Sequence, residues 1–248
     1  MIKDGDRVLL IGKKCKYYVQ AGEGKFSTDK GMLDLSALPG SSSGDTIATH
    51  LGDEFKILIP RPTDFFSYAR RSGAPMLPKD IGMVIAYTGM NNRDIVLDAG
   101  TGSGIAAIFF GGVASQVVTY EQREEFARIC ETNIREAKLD NVTVIAGDVL
   151  EGTGEYDVVH LDLHITEEHV RKAWSLLRFG GYLATYTPFL EQTFVVMDTA
   201  SEIFTDVVCH ELIERELTRT ARGTRPSTRV CHSGYITIAR KGAPLTKN

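Results

Sequence analysis

The stretch Val96-Leu97-Asp98-Ala99-Gly100-Thr101-Gly102-Ser103-Gly104 decides the fold. An apolar run, Ile95 to Leu97, ends in an acid and breaks into alternating glycines; a helix-like segment, Ile105 to Gly111, follows at once. Strand, tight glycine turn and helix make the corner at which doubly wound sheets hold nucleotides. Gly100 and Gly102 lack a Cβ, so the chain can turn sharply there and let a ligand lie against the backbone. The helix that follows offers free N–H groups to a carboxylate or phosphate.

The spacing G-x-G-x-G differs from the dinucleotide fingerprint G-x-G-x-x-G, and no G-x-x-x-x-G-K-[ST] occurs, which argues against a P-loop. With the acid in front, D-x-G-x-G-x-G resembles the first motif of the S-adenosylmethionine-dependent methyltransferases. Two further strands end in acids. Gln116 to Glu121 closes in Glu121, placed to accept from a ribose diol, and Val142 to Gly147 leads into Asp148, placed to accept from an adenine amine. Each acid alone reads equally as a helix cap or a solvated strand end. Three at consecutive strand ends, on one rim of one sheet, favour a ligand.

From residue 92 the chain alternates: strand 93–98, helix 104–112, strand 116–121, helix 123–138, strand 142–147, strand 156–162, helix 166–178, strand 181–187, helix 190–201. That order predicts an α/β, Rossmann-like parallel sheet with helices on both faces. Two last strands, about 206–216 and 229–239, flank a basic polar loop and are expected to pair antiparallel at the sheet edge. Residues 1–65 read as a small β-barrel-like domain, with strands at Arg7–Ile11, Lys16–Gln20 and Glu54–Pro60, a turn at Ala21–Phe26 and a loop at Leu38–Asp45. Residues 66–91 form a helical connector to the domain at 92–248. A short helix capped by Thr63 is expected over Thr63–Arg71, and Asp80 is expected to cap a helix over Ile81–Thr88.

The fourth strand, Tyr156 to Asp162, delivers Asp162 to the same rim, where it would lie by the methyl group of a bound S-adenosylmethionine; otherwise it caps the helix starting near Thr166. His164 reads as pocket-lining. Tyr186, at the next strand end, either stacks on a flat base or is a half-buried core tyrosine; Gln192 reads as surface. Arg215, Arg219, Arg222, Arg225 and Arg229 crowd a late segment that closes in His232-Ser233-Gly234-Tyr235. Arginine forks suit phosphates, so this segment points to RNA held by its backbone.

Composition agrees with an ordinary globular protein. The chain has 248 residues, 43% hydrophobic and 24% charged, with a formal net charge of −4, so general attraction to nucleic acid is not expected. No apolar stretch suits a membrane span and the N-terminus lacks a signal-peptide core, which makes the cytoplasm the expected compartment. The four cysteines have no metal-ligand spacing, and no metal is expected. Cys130 reads as buried and inert; a Cys209–Cys231 disulfide would be unusual in a reducing cytoplasm.

Together these residues resemble the tRNA (adenine-N1)-methyltransferases of archaeal and bacterial type, which modify a T-loop adenine at position 58 and in some archaea also 57. The matching segments are Pro78-Lys79-Asp80-Ile81-Gly82, Val96 to Gly104, Tyr120-Glu121-Gln122-Arg123, Leu161-Asp162-Leu163, Tyr186-Thr187-Pro188 to Gln192, and Arg225-Pro226-Ser227-Thr228-Arg229 through Tyr235. The resemblance implies Asp98, Gly100, Thr101, Gly102, Ser103, Gly104, Glu121, Gln122, Asp148, Val149 and Asp162 as contacts of S-adenosylmethionine. It implies Asp162 and Tyr186 as the catalytic residues, and Arg219, Arg225, Arg229 and His232 as contacts of tRNA. A homotetramer is implied too, which would let an acidic protomer assemble basic clefts. Three positions depart from the family: Ala74 and Leu77 stand where Gln and Tyr are usual, and His164 stands where a proline is usual. A non-catalytic RNA-binding subunit and a methyltransferase with another substrate are the alternatives; the intact acids and the arginine segment argue against them in turn.

Overall fold

A computed structural model describes residues 1–228 and 232–242. The chain divides into two units, Met1–Arg70 with Thr132–Lys138, and Arg71–Glu131 with the chain from Leu139 onward. The first unit holds β1 (Arg7–Ile11), β2 (Lys16–Gln20), β3 (Lys25–Thr28), β4 (Gly31–Asp34), β5 (Thr46–Ala48), β6 (Glu54–Leu58) and α1 (Pro62–Tyr68). An antiparallel sheet runs β2-β1-β6-β5, with β3–β4 as a separate hairpin. The alternation in β6 sends Phe55 and Ile57 into a core with Val8, Leu10, Val19 and Leu33, and leaves Glu54 and Lys56 outside. The expected turn at Ala21–Phe26 ends sooner than its composition suggests, because Lys25 and Phe26 already pair with β4. Helix α1 starts at Pro62 rather than at a Thr63 cap; Asp64 reaches back to the Arg61 amide (2.8 Å).

The second unit holds α2 (Pro78–Thr88), β7 (Ile95–Ala99), α3 (Ile105–Gly111), β8 (Gln116–Glu121), most of α4 (Glu124–Ala137), β9 (Val142–Ala146), β10 (Tyr156–Leu161), α5 (Glu167–Leu176), β11 (Leu177–Thr187), α6 (Leu190–Ile203), β12 (Thr205–Glu211), β13 (Leu217–Thr220), β14 (Gly223–Pro226) and β15 (Tyr235–Arg240). Its sheet runs β12-β15-β11-β10-β7-β8-β9. Strands β9, β8, β7, β10 and β11 are parallel, and β15 runs against both β11 and β12. The chain starts this sheet in its middle, at β7, proceeds to β8 and β9 on one side, then crosses to β10 and β11 on the other. The strand order therefore reverses between β7 and β10, and a crevice opens beyond their carboxyl ends. Leu97, Val159, Leu161 and Leu183 fill the core below it.

Three local expectations change. Helix α2 begins at Pro78 with Leu77 before it, so Asp80 is not the cap; it lies in the first turn, fully buried. The basic segment is not a loop throughout: β13 and β14 pair as a hairpin from Leu217–Pro226 to Thr220–Gly223. The last two strands are shorter than expected, and β15 lies inside the sheet with β12 at the edge. Among the described residues no helix is long and apolar enough to cross a membrane, and no group of three or more metal-ligating side chains is found.

Candidate active site

Gly100, Gly102 and Gly104 all take left-handed backbone angles, φ +83°, +53° and +81°. At Gly100 the requirement is also steric: a Cβ there would fall 1.9 Å from the Asp162 carbonyl oxygen. The ends of β7 and β10 are that close because the Asp162 amide donates to the Ala99 carbonyl (2.8 Å). At Gly104 a Cβ would meet Cys130 Sγ at 2.7 Å. Cys130 is fully buried, and burial pushes its thiol up to about 12, as the expectation of an inert cysteine requires.

The acids differ in how they are held. Asp98 is 1% exposed. It accepts from Thr119 Oγ1 at 2.6 Å and from His160 Nδ1 at 2.7 Å. These residues stand opposite Asp98 on the strands to either side, β8 and β10. His160 is fully buried, its ring edge-on to Phe110, with Nε2 unpartnered. Sequence reading missed both partners, although a polar residue inside each apolar run (Val-Val-His-Leu, Val-Val-Thr-Tyr) is the signal that finds them. Burial works to raise Glu121, but hydrogen bonds from the Arg123 side chain and amide and from the Gly102 amide (2.9 Å) outweigh it and hold the carboxyl below its usual range. Asp148 caps a short 3-10 turn, accepting from the Leu150 amide (2.8 Å).

Asp162 is the exception. Burial, with Asp98 adding to it and His160 opposing, raises its carboxyl from 3.8 to about 6. It does not cap α5; Thr166 does, with His169 Nδ1 2.8 Å from its hydroxyl. Two cavities meet at Gly100, Arg123 and Asp162. The smaller, about 190 Å³, is lined by Asp98, the Gly100–Ser103 turn, Ala74, Met76 and Phe126. The larger, about 520 Å³, is lined by Glu121, Gln122, Gly147, Asp148, Val149, His164 and His169. Carboxylates from β7, from β8 and from the turn after β9 thus line one cleft in strand order. That set fits an elongated ligand with a cationic amino end, a diol and a flat amine-bearing base, and Gly100 leaves the floor flat.

Other expected residues fall around this cleft. Ala74 lines the smaller cavity, and Leu77 is partly exposed. His164 lines the larger one and accepts from the Gln192 amide (3.1 Å), which is half-buried rather than on the surface. The Tyr186 phenol donates to the Ser233 carbonyl (2.5 Å); burial, then the charges of Asp80 and Asp162, push it up to about 12, so it stays neutral. Arg219 and Arg225 are exposed on the β13–β14 hairpin. His232 faces Glu211 (2.7 Å) and the Pro188 carbonyl (3.3 Å), and the hydrogen bond to Glu211, more than that to Pro188, raises its pKa. Arg229 and Cys231, and with Cys231 the disulfide expectation, lie outside the described residues.

Sequence reading also missed a buried cluster at the start of α2. Lys79 Nζ donates to Asp80 Oδ1 (2.6 Å), the Leu212 carbonyl (2.7 Å) and Ser233 Oγ (2.6 Å). Ser233 Oγ donates in turn to Asp80 Oδ2 (2.8 Å).

The family model for protein-L-isoaspartate(D-aspartate) O-methyltransferase matches residues 68–202. The tRNA (adenine(57)-N(1)/adenine(58)-N(1))-methyltransferase TrmI of Methanocaldococcus jannaschii is 32% identical, over 94% of each chain. The chain belongs to the tRNA (adenine-N1)-methyltransferase family. The isoaspartate model starts at residue 68, past the strands of the first unit, and stops at residue 202, before β12. Solved structures agree on the fold. A SAM-dependent O-methyltransferase from Thermotoga maritima superposes with a TM-score of 0.87 at 28% identity, covering 99% of this chain and 96% of that one. The tRNA (m1A58) methyltransferase TrmI from Aquifex aeolicus gives 0.79 at 22% identity, covering 97% and 98%.

Proposed function

We propose that this protein transfers a methyl group from S-adenosylmethionine to N1 of a T-loop adenine in tRNA, at position 58 and also at 57. The observation that carries this reading is the end-to-end relation to an enzyme named for that reaction, 94% of each chain, combined with Asp162 at the junction of the two cavities. S-adenosylmethionine supplies an electrophilic methyl group for in-line displacement. We assign Asp98, the Gly100-Thr101-Gly102-Ser103-Gly104 turn, Glu121, Gln122, Asp148, Val149 and Asp162 to holding it.

Adenine N1 carries a lone pair and needs no base to make it nucleophilic. Asp162 accepts from the exocyclic N6 amine, turns N1 toward the donor and offsets the charge that appears on the methylated ring; its carboxylate is also placed to take an N6 proton once the methyl group has been transferred. Neutral Tyr186 flanks the base. Alignment and exclusion of water supply the rest of the acceleration. The target adenine must leave its stack to enter the cleft. Arg219, Arg225, Arg229 and His232 hold the tRNA through its phosphates. Because the chain carries a net charge of −4, a homotetramer that gathers the arginine segments into shared clefts suits RNA better than one protomer. We assign residues 1–65 to a small β domain, 66–91 to a connector and 92–248 to the methyltransferase domain, working in the cytoplasm.

Methyl transfer to a carboxylate is disfavoured by the same geometry, since the ionised Asp162 would repel the acceptor. Incubation of purified protein with unmodified tRNA and labelled methyl donor, followed by nucleoside mapping, tests the proposal. 1-Methyladenosine in the T-loop is expected; label in a methyl ester or at another nucleoside would overturn it.

A further inference from the structure

The Lys79–Asp80–Ser233 cluster is closed on itself. Lys79 has three N–H donors and all three are used; both Asp80 oxygens accept, and the pair is buried, with side-chain exposures of 8% and 0%. A buried ion pair is a poor way to gain stability, because desolvation offsets its attraction, but it holds its members in one arrangement. What this one holds is informative. Leu212 and Ser233 are the two ends of the segment that carries Arg215, Arg219, Arg222 and Arg225, and both meet on one ammonium group. The Ser233 carbonyl is also where the Tyr186 phenol ends (2.5 Å), and a Cβ on Gly234 would overlap the Tyr186 ring at 2.6 Å. One cluster therefore sets the root of the arginine segment and the place of an aromatic ring beside Asp162.

We propose that Lys79, Asp80 and Ser233 are positioning residues for methyl transfer, which act by seating Tyr186 against the acceptor base through the Ser233 carbonyl. The inference rests on the reading of the cleft given above. Removing either charge strands the other in the core and costs the fold, so Ser233→Ala is the informative change: it keeps the carbonyl that Tyr186 uses and removes the hydroxyl that fixes it.

Single-turnover methylation of unmodified tRNA by the full-length protein tests this. Ser233→Ala lowers the transfer rate constant about tenfold, leaves the dissociation constant of S-adenosylmethionine within about twofold, and has no further effect in a Tyr186→Phe background. Ser233→Thr, which restores the hydroxyl, recovers most of the rate. An unchanged rate in Ser233→Ala, or an equal loss in both backgrounds, overturns the proposal. A second measurement is independent of the substrate: the fluorine resonance of 3-fluorotyrosine at position 186 in the free protein moves on Ser233→Ala, and an unmoved line overturns the seating. If the unaltered protein transfers no methyl to tRNA, the reading of the function has failed, and the fluorine line alone decides the seating.

Discussion

Replacing Asp162 with asparagine should stabilise this protein and abolish its activity. The folded state holds the Asp162 carboxyl at about 6 against 3.8 for an ordinary aspartate. Between those values the folded protein binds more protons at this site than the unfolded chain does. Stability therefore falls as pH rises from about 4 to about 6, and the whole cost is present above pH 6. At about 1.4 kcal/mol per tenfold, the difference is up to about 3 kcal/mol, or roughly 6–12 °C in Tm for a chain of this size. Asparagine carries no charge, so Asp162→Asn escapes that cost at pH 8 and gains nothing below about pH 4. Urea or thermal unfolding of both proteins at pH 5 and pH 8 measures the gap, which should widen at the higher pH. Methyl transfer should drop by at least about a hundredfold, since an amide cannot carry the negative charge that offsets the methylated ring. In the unaltered enzyme kcat/KM should climb through pH 6 to a plateau, because the ionised carboxylate is the working form. A gap between the two proteins that is the same at pH 5 and pH 8, or an Asp162→Asn protein that turns over normally, would refute the reasoning.

Gly100→Ala should lose detectable cofactor binding by calorimetry and lower the Tm, because its Cβ would sit 1.9 Å from the Asp162 carbonyl at φ +83°. Gly82→Ala, on the open face of α2, should instead add up to about 1 kcal/mol of stability. Glu121→Gln should weaken cofactor binding about tenfold, about 1.4 kcal/mol, with kcat at saturating cofactor changed less than about threefold. Arg219→Ala and Arg225→Ala should each weaken tRNA binding at all sequences alike and lower the slope of log K against log salt by about 1, with cofactor affinity unchanged in both.

The glycine corner, the alternation of strands and helices after residue 92 and the acids at consecutive strand ends were all legible along the chain. Each is a local property: the period of apolar residues, a residue without a Cβ, an acid at the end of a run. The paired partners of those acids were not legible. Asp98 meets Thr119 and His160 only because β8 and β10 flank β7 in register. Asp80 was expected to cap a helix, since an acid before an apolar run looks like a cap; its ion pair is completed by Ser233, 153 residues away. The arginine hairpin was hidden because β13 and β14 are exposed on both faces and carry no alternation.

The sequence by itself determined that a ligand-binding α/β sheet forms and which rim of it carries the acids, because short-range sterics and burial decide both. Only the tertiary structure decided which acid is left as the weak one. Glu121 accepts hydrogen bonds from Arg123 and Gly102 that hold it below its usual range, while Asp162 sits by Asp98 and is raised to about 6. Charge state is set by the distance to other charges and to water, and those distances exist only once the strands are side by side.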